Sequence, residues 1–233
     1  MERSVEKEWL DDLPHTDPKA MASRRDLDRL NRIMGHAEII AEHLHSSLPT
    51  PAQCRLLEIG AGEGGLMLRV ARRLGPAWQG STLVLLDKQV SNNDTIVAEF
   101  ASIGWDAKFL KADVLEQNCA KLAPKFHIIL ANLFLHHFSE GVLRDVLREL
   151  AIRTSLFMAV EPRRTGCVLL GSRLVSLLGC NAVTRHDAPV SVRAGFRGAE
   201  LSRLWPGTGE WRLTEKPAGL FSHFFMAQRV SMA

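Results

Sequence analysis

Apolar positions along the chain follow two periods in succession, helical at the start and then short alternating runs. Leu27, Leu30, Ile33, Met34, Ile39, Ile40, Ala41 and Leu44 recur at helical spacing, which predicts two helices broken near Gly35. Ser47-Leu-Pro-Thr-Pro51 stops that pattern. The next hundred residues alternate short apolar runs with amphipathic segments, as in βαβ units on a parallel sheet. Strands are expected at 55–59, 81–86, 105–112, 126–131 and 155–160. Between them lie helices carrying Leu66 to Leu74, Ile96 to Ile103 and Val142 to Ala151. A helix over 168–178 follows, then an irregular stretch over 181–197. Two last strands, 211–216 and 221–228, are joined by Pro217-Ala-Gly-Leu as a hairpin, so one of them must run antiparallel. Residues 1–22 are polar and interrupted by Pro14 and Pro18; they read as a loosely held arm or a short lid helix.

The first strand runs into Glu58-Ile-Gly-Ala-Gly-Glu-Gly-Gly65. Glycines there let the backbone turn sharply and approach a ligand, and the helix that follows offers free N–H groups. By itself the motif is weak, because Gly60, Gly62 and Gly65 also satisfy the dinucleotide pattern. Glu58 bears on the choice: a carboxylate repels a pyrophosphate and attracts a ligand carrying an ammonium and a sulfonium. Asp87 at the tip of the second strand is placed to accept ribose hydroxyls, which suits either ligand. Asp113, between Ala112 and Val114 after the third strand, suits an adenine amino group.

Taken in order, Leu57 to Gly65, Asp87, Asp113 and Ala131-Asn-Leu-Phe-Leu-His-His-Phe138 resemble the class I S-adenosylmethionine-dependent methyltransferases. The similarity is greatest to bacterial small-molecule enzymes of the quinone and polyketide kind, and Asn31-Arg-Ile-Met-Gly35 resembles a helix preceding their core. It covers residues 24–162 well and the terminal hairpin loosely. The resemblance implies an α/β, Rossmann-like methyltransferase fold: a seven-stranded, mostly parallel sheet of order 3-2-1-4-5-7-6, strand 7 antiparallel, helices on both faces. It also implies S-adenosylmethionine as cofactor. Glu58, Gly60, Ala61 and Gly62 would surround the methionine portion. Asp87 and Lys88 would lie at the ribose, Ala112, Asp113 and Val114 at the adenine, and Asn132 and Leu133 near the sulfonium. Residues 1–50 form the N-terminal helical arm or lid and 51–233 the catalytic domain, with a cap-like insertion over 163–205. No Asn/Asp-Pro-Pro-Tyr/Phe motif follows strand four, which disfavours amino-group methylation of adenine or glutamine. The pair of acidic metal ligands typical of metal-dependent catechol enzymes is not seen, and no metal is expected.

Composition narrows the setting. Apolar residues make up 46% of the chain, enough for a sizeable core, yet no apolar run reaches the roughly 20 residues of a membrane span. Glu2, Glu6, Glu8, Asp11 and Asp12 argue against a secretory signal. Cys54, Cys119, Cys167 and Cys180 are scattered, as free thiols in a reducing, cytoplasmic compartment. A net charge of +3 and dispersed arginines do not make a nucleic-acid surface. A homodimer is left open.

Methyl transfer asks mainly for alignment and, with a phenol, for a base. His136 and His137 are the candidates, against a packing role at the start of the next helix. In the cap, Asp187, Arg193 and Phe196 are the expected acceptor contacts. His186 beside Asp187 reads better as a surface turn, and Trp205 either walls the substrate or anchors the cap. The expected activity is methyl transfer to a small organic acceptor, oxygen before carbon. The alternatives are an RNA methyltransferase, a silent cofactor-binding protein and an NAD-dependent reductase.

Overall fold

The computed structural model describes residues 1–48, 53–89, 93–115 and 125–230; Cys119 and the Thr50-Pro51 stop signal lie outside them. Three helices open the chain: α1 (Trp9–Asp12), α2 (Pro18–Ile33) and α3 (His36–Ser47). Asp17 caps α2, its side chain accepting from the Lys19 N–H, and Pro18 stands in the first turn. Gly35, at φ 69°, makes the break before α3. The alternating part follows as β1 (Arg55–Ile59), α4 (Gly65–Leu74), β2 (Thr82–Asp87), α5 (Asp94–Ser102), β3 (Asp106–Lys111), β4 (Phe126–Asn132), α6 (Glu140–Ala151) and β5 (Thr154–Pro162). Then come α7 (Gly166–Arg173), α8 (Ala182–Ala194), α9 (Glu200–Leu204), β6 (Trp211–Ala218) and β7 (Ser222–Arg229).

The strands form one sheet in the order β3-β2-β1-β4-β5-β7-β6. Strands β1 to β5 pair in parallel, and β7 runs antiparallel to both β5 and β6. Because neighbouring side chains in a strand point to opposite faces, the sheet carries two cores. Leu56, Leu83, Leu85, Ile128, Leu130, Leu156, Met158 and Phe224 pack under α3 and α4. Leu57, Ile59, Ile129, Phe157, Phe225 and Ala227 pack with α6 and with Trp205 and Trp211 on the other face. The buried Trp205 stacks on Phe157 with ring centroids 5.1 Å apart, so it anchors the cap.

Two local expectations are corrected. Residues 181–197 are not irregular: they hold α8, capped by Asn181, whose side-chain oxygen accepts the Thr184 N–H at 2.9 Å. Pro189 is accommodated within it. The N-terminal arm is not loosely held, because it lies pinned along α8. Ser4 donates its N–H to Arg193 O (3.2 Å), Arg3 donates to Ala194 O (2.7 Å), and the Trp9 and Leu10 N–H groups bond the Asp187 carboxylate at 2.9 and 3.0 Å.

The end of α8 is pressed onto β5. Phe196 donates its N–H to Pro162 O at 2.9 Å, and a Cβ on Gly195 would stand 2.2 Å from that oxygen. Backbone cannot yield as a side-chain tip can. Gly195→Ala is therefore expected to destabilise the protein by about 1–3 kcal/mol or more in urea denaturation. Gly141→Ala, where a Cβ would meet nothing within 4 Å, serves as the control and should be neutral or mildly stabilising. Equal midpoints for the two variants would show that the cap is not seated this closely.

Candidate active site

The period of two along the strands sets the chemistry at their carboxyl ends. Glu58 follows Leu56 on the α3/α4 face, Asp87 follows Leu85, and Asn132 follows Leu130. Three polar side chains thus end three neighbouring strands on one face. Glu58 is 2% exposed and its Oε2 has no partner among the described residues. Burial, reinforced by the charge of Asp87 and opposed by that of Arg69, holds its carboxyl well above the usual carboxylate range. Asn132 donates to Asn31 Oδ1 at 3.3 Å. Arg69 bonds Asp28 at 2.5 Å through one nitrogen, and its other two nitrogens find no partner among the described residues.

The glycine turn closes against the second strand. Ala61 donates its N–H to Leu86 O at 3.0 Å, and the Gly62 N–H reaches Asp87 Oδ2 at 3.0 Å. Gly60 has φ 68°, and a Cβ there would meet the Phe134 ring at 2.3 Å, so glycine is required for backbone angle and for space. Opposite it, Leu133 has φ 50°, a left-handed conformation that costs a side-chain-bearing residue roughly 1–2 kcal/mol.

What holds Leu133 there is Glu161, fully buried at the end of β5 on the other face. Its Oε1 accepts the Phe134 and Leu135 N–H groups at 3.0 and 2.8 Å, and its Oε2 faces His136 Nδ1 at 2.8 Å. On the far side of the ring, His136 Nε2 is 3.3 Å from Glu8 Oε1, and that same oxygen accepts from Ser191. Burial alone would lower the His136 pKa, but the hydrogen bonds to Glu161 and Glu8 and their charges outweigh it and raise it to about 9. Burial would likewise raise both carboxyls, yet His136 holds them below the usual range. His137, half-buried, stands 3.3 Å from Asp11 on α1. On the first face, His36 donates to or accepts from Ser222 Oγ at 2.7 Å, and burial lowers its pKa to about 4.

No protein-family model matches the chain. A curated relative, the biotin biosynthesis bifunctional protein of Bordetella avium, is 29% identical over 164 residues, 69% of this chain and 32% of that protein. The chain thus spans about a third of that relative's length. An O-methyltransferase family protein from Burkholderia thailandensis superimposes with a TM-score of 0.64 at 15% identity, over 94% of this chain and 62% of the other. Magnesium protoporphyrin IX methyltransferase from Synechocystis PCC 6803, with bound SAH, gives 0.56 at 13% identity, over 92% and 89%. Human N-acetylserotonin methyltransferase in complex with SAM gives 0.57 at 13%, over 96% and 63%. The chain has the class I methyltransferase fold.

On this methyltransferase fold the sequence-derived candidates fall into two groups. Glu58, Gly60, Ala61, Gly62 and Asp87, with exposed Lys88, gather at the ends of β1 and β2, and Asn132 and Leu133 follow at the end of β4. Ala112, Asp113 and Val114 are partly buried just beyond β3, where Asp113 accepts the Leu115 N–H at 2.9 Å. His136 and His137 belong to the second group with Asp187, Arg193 and Phe196, which all meet the N-terminal arm. Asp187 is buried beneath α1 and also bonds His186 Nδ1 at 2.7 Å, so this neighbouring pair does face itself, on a helix rather than in a turn. Arg193 pairs with Glu6 at 3.4 Å, and the Arg3 guanidinium lies 4.6 Å over the buried Phe196 ring.

Sequence reasoning missed Glu8, Arg69 and His36, and saw Glu161 only as a strand end. Glu161 had a signal, a carboxylate directly continuing the apolar run of β5. Glu8 had none, since it is one of several acids in a polar arm.

The raised Glu58 pKa has a consequence for stability. A carboxyl whose folded pKa lies above its unfolded value near 4.5 stabilises the fold below that value and loses this contribution as pH rises through the folded pKa. Glu58→Gln is accordingly expected to melt above the native protein near pH 8, the difference shrinking towards about pH 4. Parallel melting curves across that range would show that Glu58 is not buried as an uncompensated acid.

Proposed function

We propose that this protein is an S-adenosylmethionine-dependent methyltransferase acting on a small organic acceptor through an oxygen nucleophile. The observation that carries the reading is the buried Glu58 oxygen beside the glycine turn, which has no partner among the described residues. An acid left without a partner inside a protein is costly unless a cation completes it. The amino-acid end of this cofactor brings an ammonium and a carboxylate, and Arg69, with two uncommitted buried nitrogens next to Glu58, suits the carboxylate. A pyrophosphate would meet Glu58 and Asp87 instead and be repelled. Two of the similar folds hold SAM or SAH and are named as methyltransferases, which supports the assignment.

When bound, the cofactor supplies a methyl group on a positive sulfur that leaves readily. The chain's own residues then have three tasks. Glu58 and Arg69 hold the amino-acid end, while Asp87, already bonded to the Gly62 and Gln89 N–H groups at 3.0 and 2.8 Å, ties the ribose position to the glycine turn. Leu133, fixed by Glu161, forms a rigid floor beside Asn132. The arm and α8 cover the ends of the strands and exclude water, which favours alignment over hydrolysis. We assign His136 and His137 to positioning that cover, since each faces carboxylates from the arm. Asp187, Arg193 and Phe196 act on the acceptor side through the arm that they hold.

Calorimetry should detect binding of S-adenosylmethionine and none of NAD. Binding a cation beside Glu58 lowers its raised pKa, so protons are released, and affinity should rise with pH until Glu58 is ionised in the free protein. Asp87→Ala should weaken binding by about 10- to 100-fold, the loss of one hydrogen bond to a charged acceptor. Saturable NAD binding without any for the methyl donor would overturn the assignment.

A further inference from the structure

We propose that Glu8, His136 and His137 form a site for a divalent transition-metal ion that fastens the N-terminal arm to the loop after β4. One ligating atom from each of the three lies within 4.8 Å of the other two. Two of the side chains are buried, so the donors do not simply share a solvated surface.

The distances suit a small tetrahedral ion. Bonds of 2.0–2.1 Å to nitrogen or oxygen place neighbouring tetrahedral ligands about 3.3–3.4 Å apart. Glu8 Oε1 and His136 Nε2 are already 3.3 Å apart. His137, whose side chain is 25% exposed and whose ring centre is 4.3 Å from that of His136, offers a ring nitrogen within 4.8 Å of both other donors.

The surroundings of His136 are those of a metal ligand. Ligating histidines commonly give their second ring N–H to a carboxylate, which sets the tautomer and the ring orientation. Glu161 takes that place at 2.8 Å from Nδ1, directing Nε2 at Glu8. Ser191 orients the Glu8 carboxylate in turn. Two imidazoles and one carboxylate suit zinc and its neighbours rather than magnesium or calcium, which prefer all-oxygen shells.

The consequence is mechanical. Glu8 and His136 are 128 residues apart in sequence, and a shared ion would join the arm to the loop that carries Leu133. The site stands on its own geometry, so it holds whether or not the methyl donor binds.

The test uses tag-free, chelator-treated full chain titrated with Zn²⁺ and, separately, Mg²⁺. One Zn²⁺ per chain is expected, with a higher melting temperature and at least tenfold slower tryptic cleavage after Lys7; Mg²⁺ should do neither. Glu8→Gln and, at the more accessible position, His137→Ala should each weaken Zn²⁺ binding at least tenfold and abolish the protection. Absence of Zn²⁺ binding by the native chain would overturn the proposal. So would unchanged binding in a folded His137→Ala variant, since the ion would then lie elsewhere.

Discussion

A carboxylate buried at the end of β5 organises the functional end of this molecule. Glu161 has no exposure to water, so its charge must be met by protein groups. It meets them by drawing in the N–H groups of Phe134 and Leu135 and the ring of His136. Those contacts bend the chain after β4 tightly enough that Leu133 adopts a left-handed backbone. His136, set between two acids, turns its other nitrogen to Glu8, and Glu8 brings the arm with it. One buried charge thereby sets the loop after β4 and, through Glu8, the place of the arm. Removing a single partner from such a buried pair typically costs about 3–5 kcal/mol, so the arrangement is kept as a unit.

The two faces of the sheet divide the work. On the α3/α4 face the strand ends carry Glu58, Asp87 and Asn132, with His36 and Ser222 farther along, and this side retains buried polar groups suited to a ligand. On the α6 face the acids are already matched. Glu161 faces His136, and Glu215 bonds His223 at 2.8 Å while accepting the Leu201 and Ser202 N–H groups at the start of α9. Matched acids make rigid structure, whereas the Glu58 oxygen is left without a partner among the described residues. The alternation of a β-strand lets one short segment such as β1 place Leu57 in one core and turn Glu58 to the opposite face.

The arm changes the reading of the cap. Asp187, Arg193 and Phe196 stand on or next to α8 and touch residues from the first ten positions of the chain, so arm and cap form one cover. Ser191 on α8 bonds the Glu8 oxygen that faces His136, so a change in α8 is passed to the loop after β4.

Much of this was legible from local pattern. Short apolar runs located the strands, the glycine motif located the turn between β1 and α4, and the terminal hairpin required an antiparallel strand. Each of these signals spans fewer than twenty residues and reports the backbone's own preferences. Helix α8 escaped because Pro189 and the run Arg185-His-Asp187 break its apolar period, while its polar face is buried against an arm that no local rule places there. Glu161 could be seen as a strand end but not as the anchor of a loop 25 residues earlier. The pairing of Glu8 with His136 could not be seen at all. A side chain's charge is written in the sequence, but whether that charge is buried, and which distant group must then answer it, is decided only when the sheet order brings the ends of β4 and β5 beneath the arm.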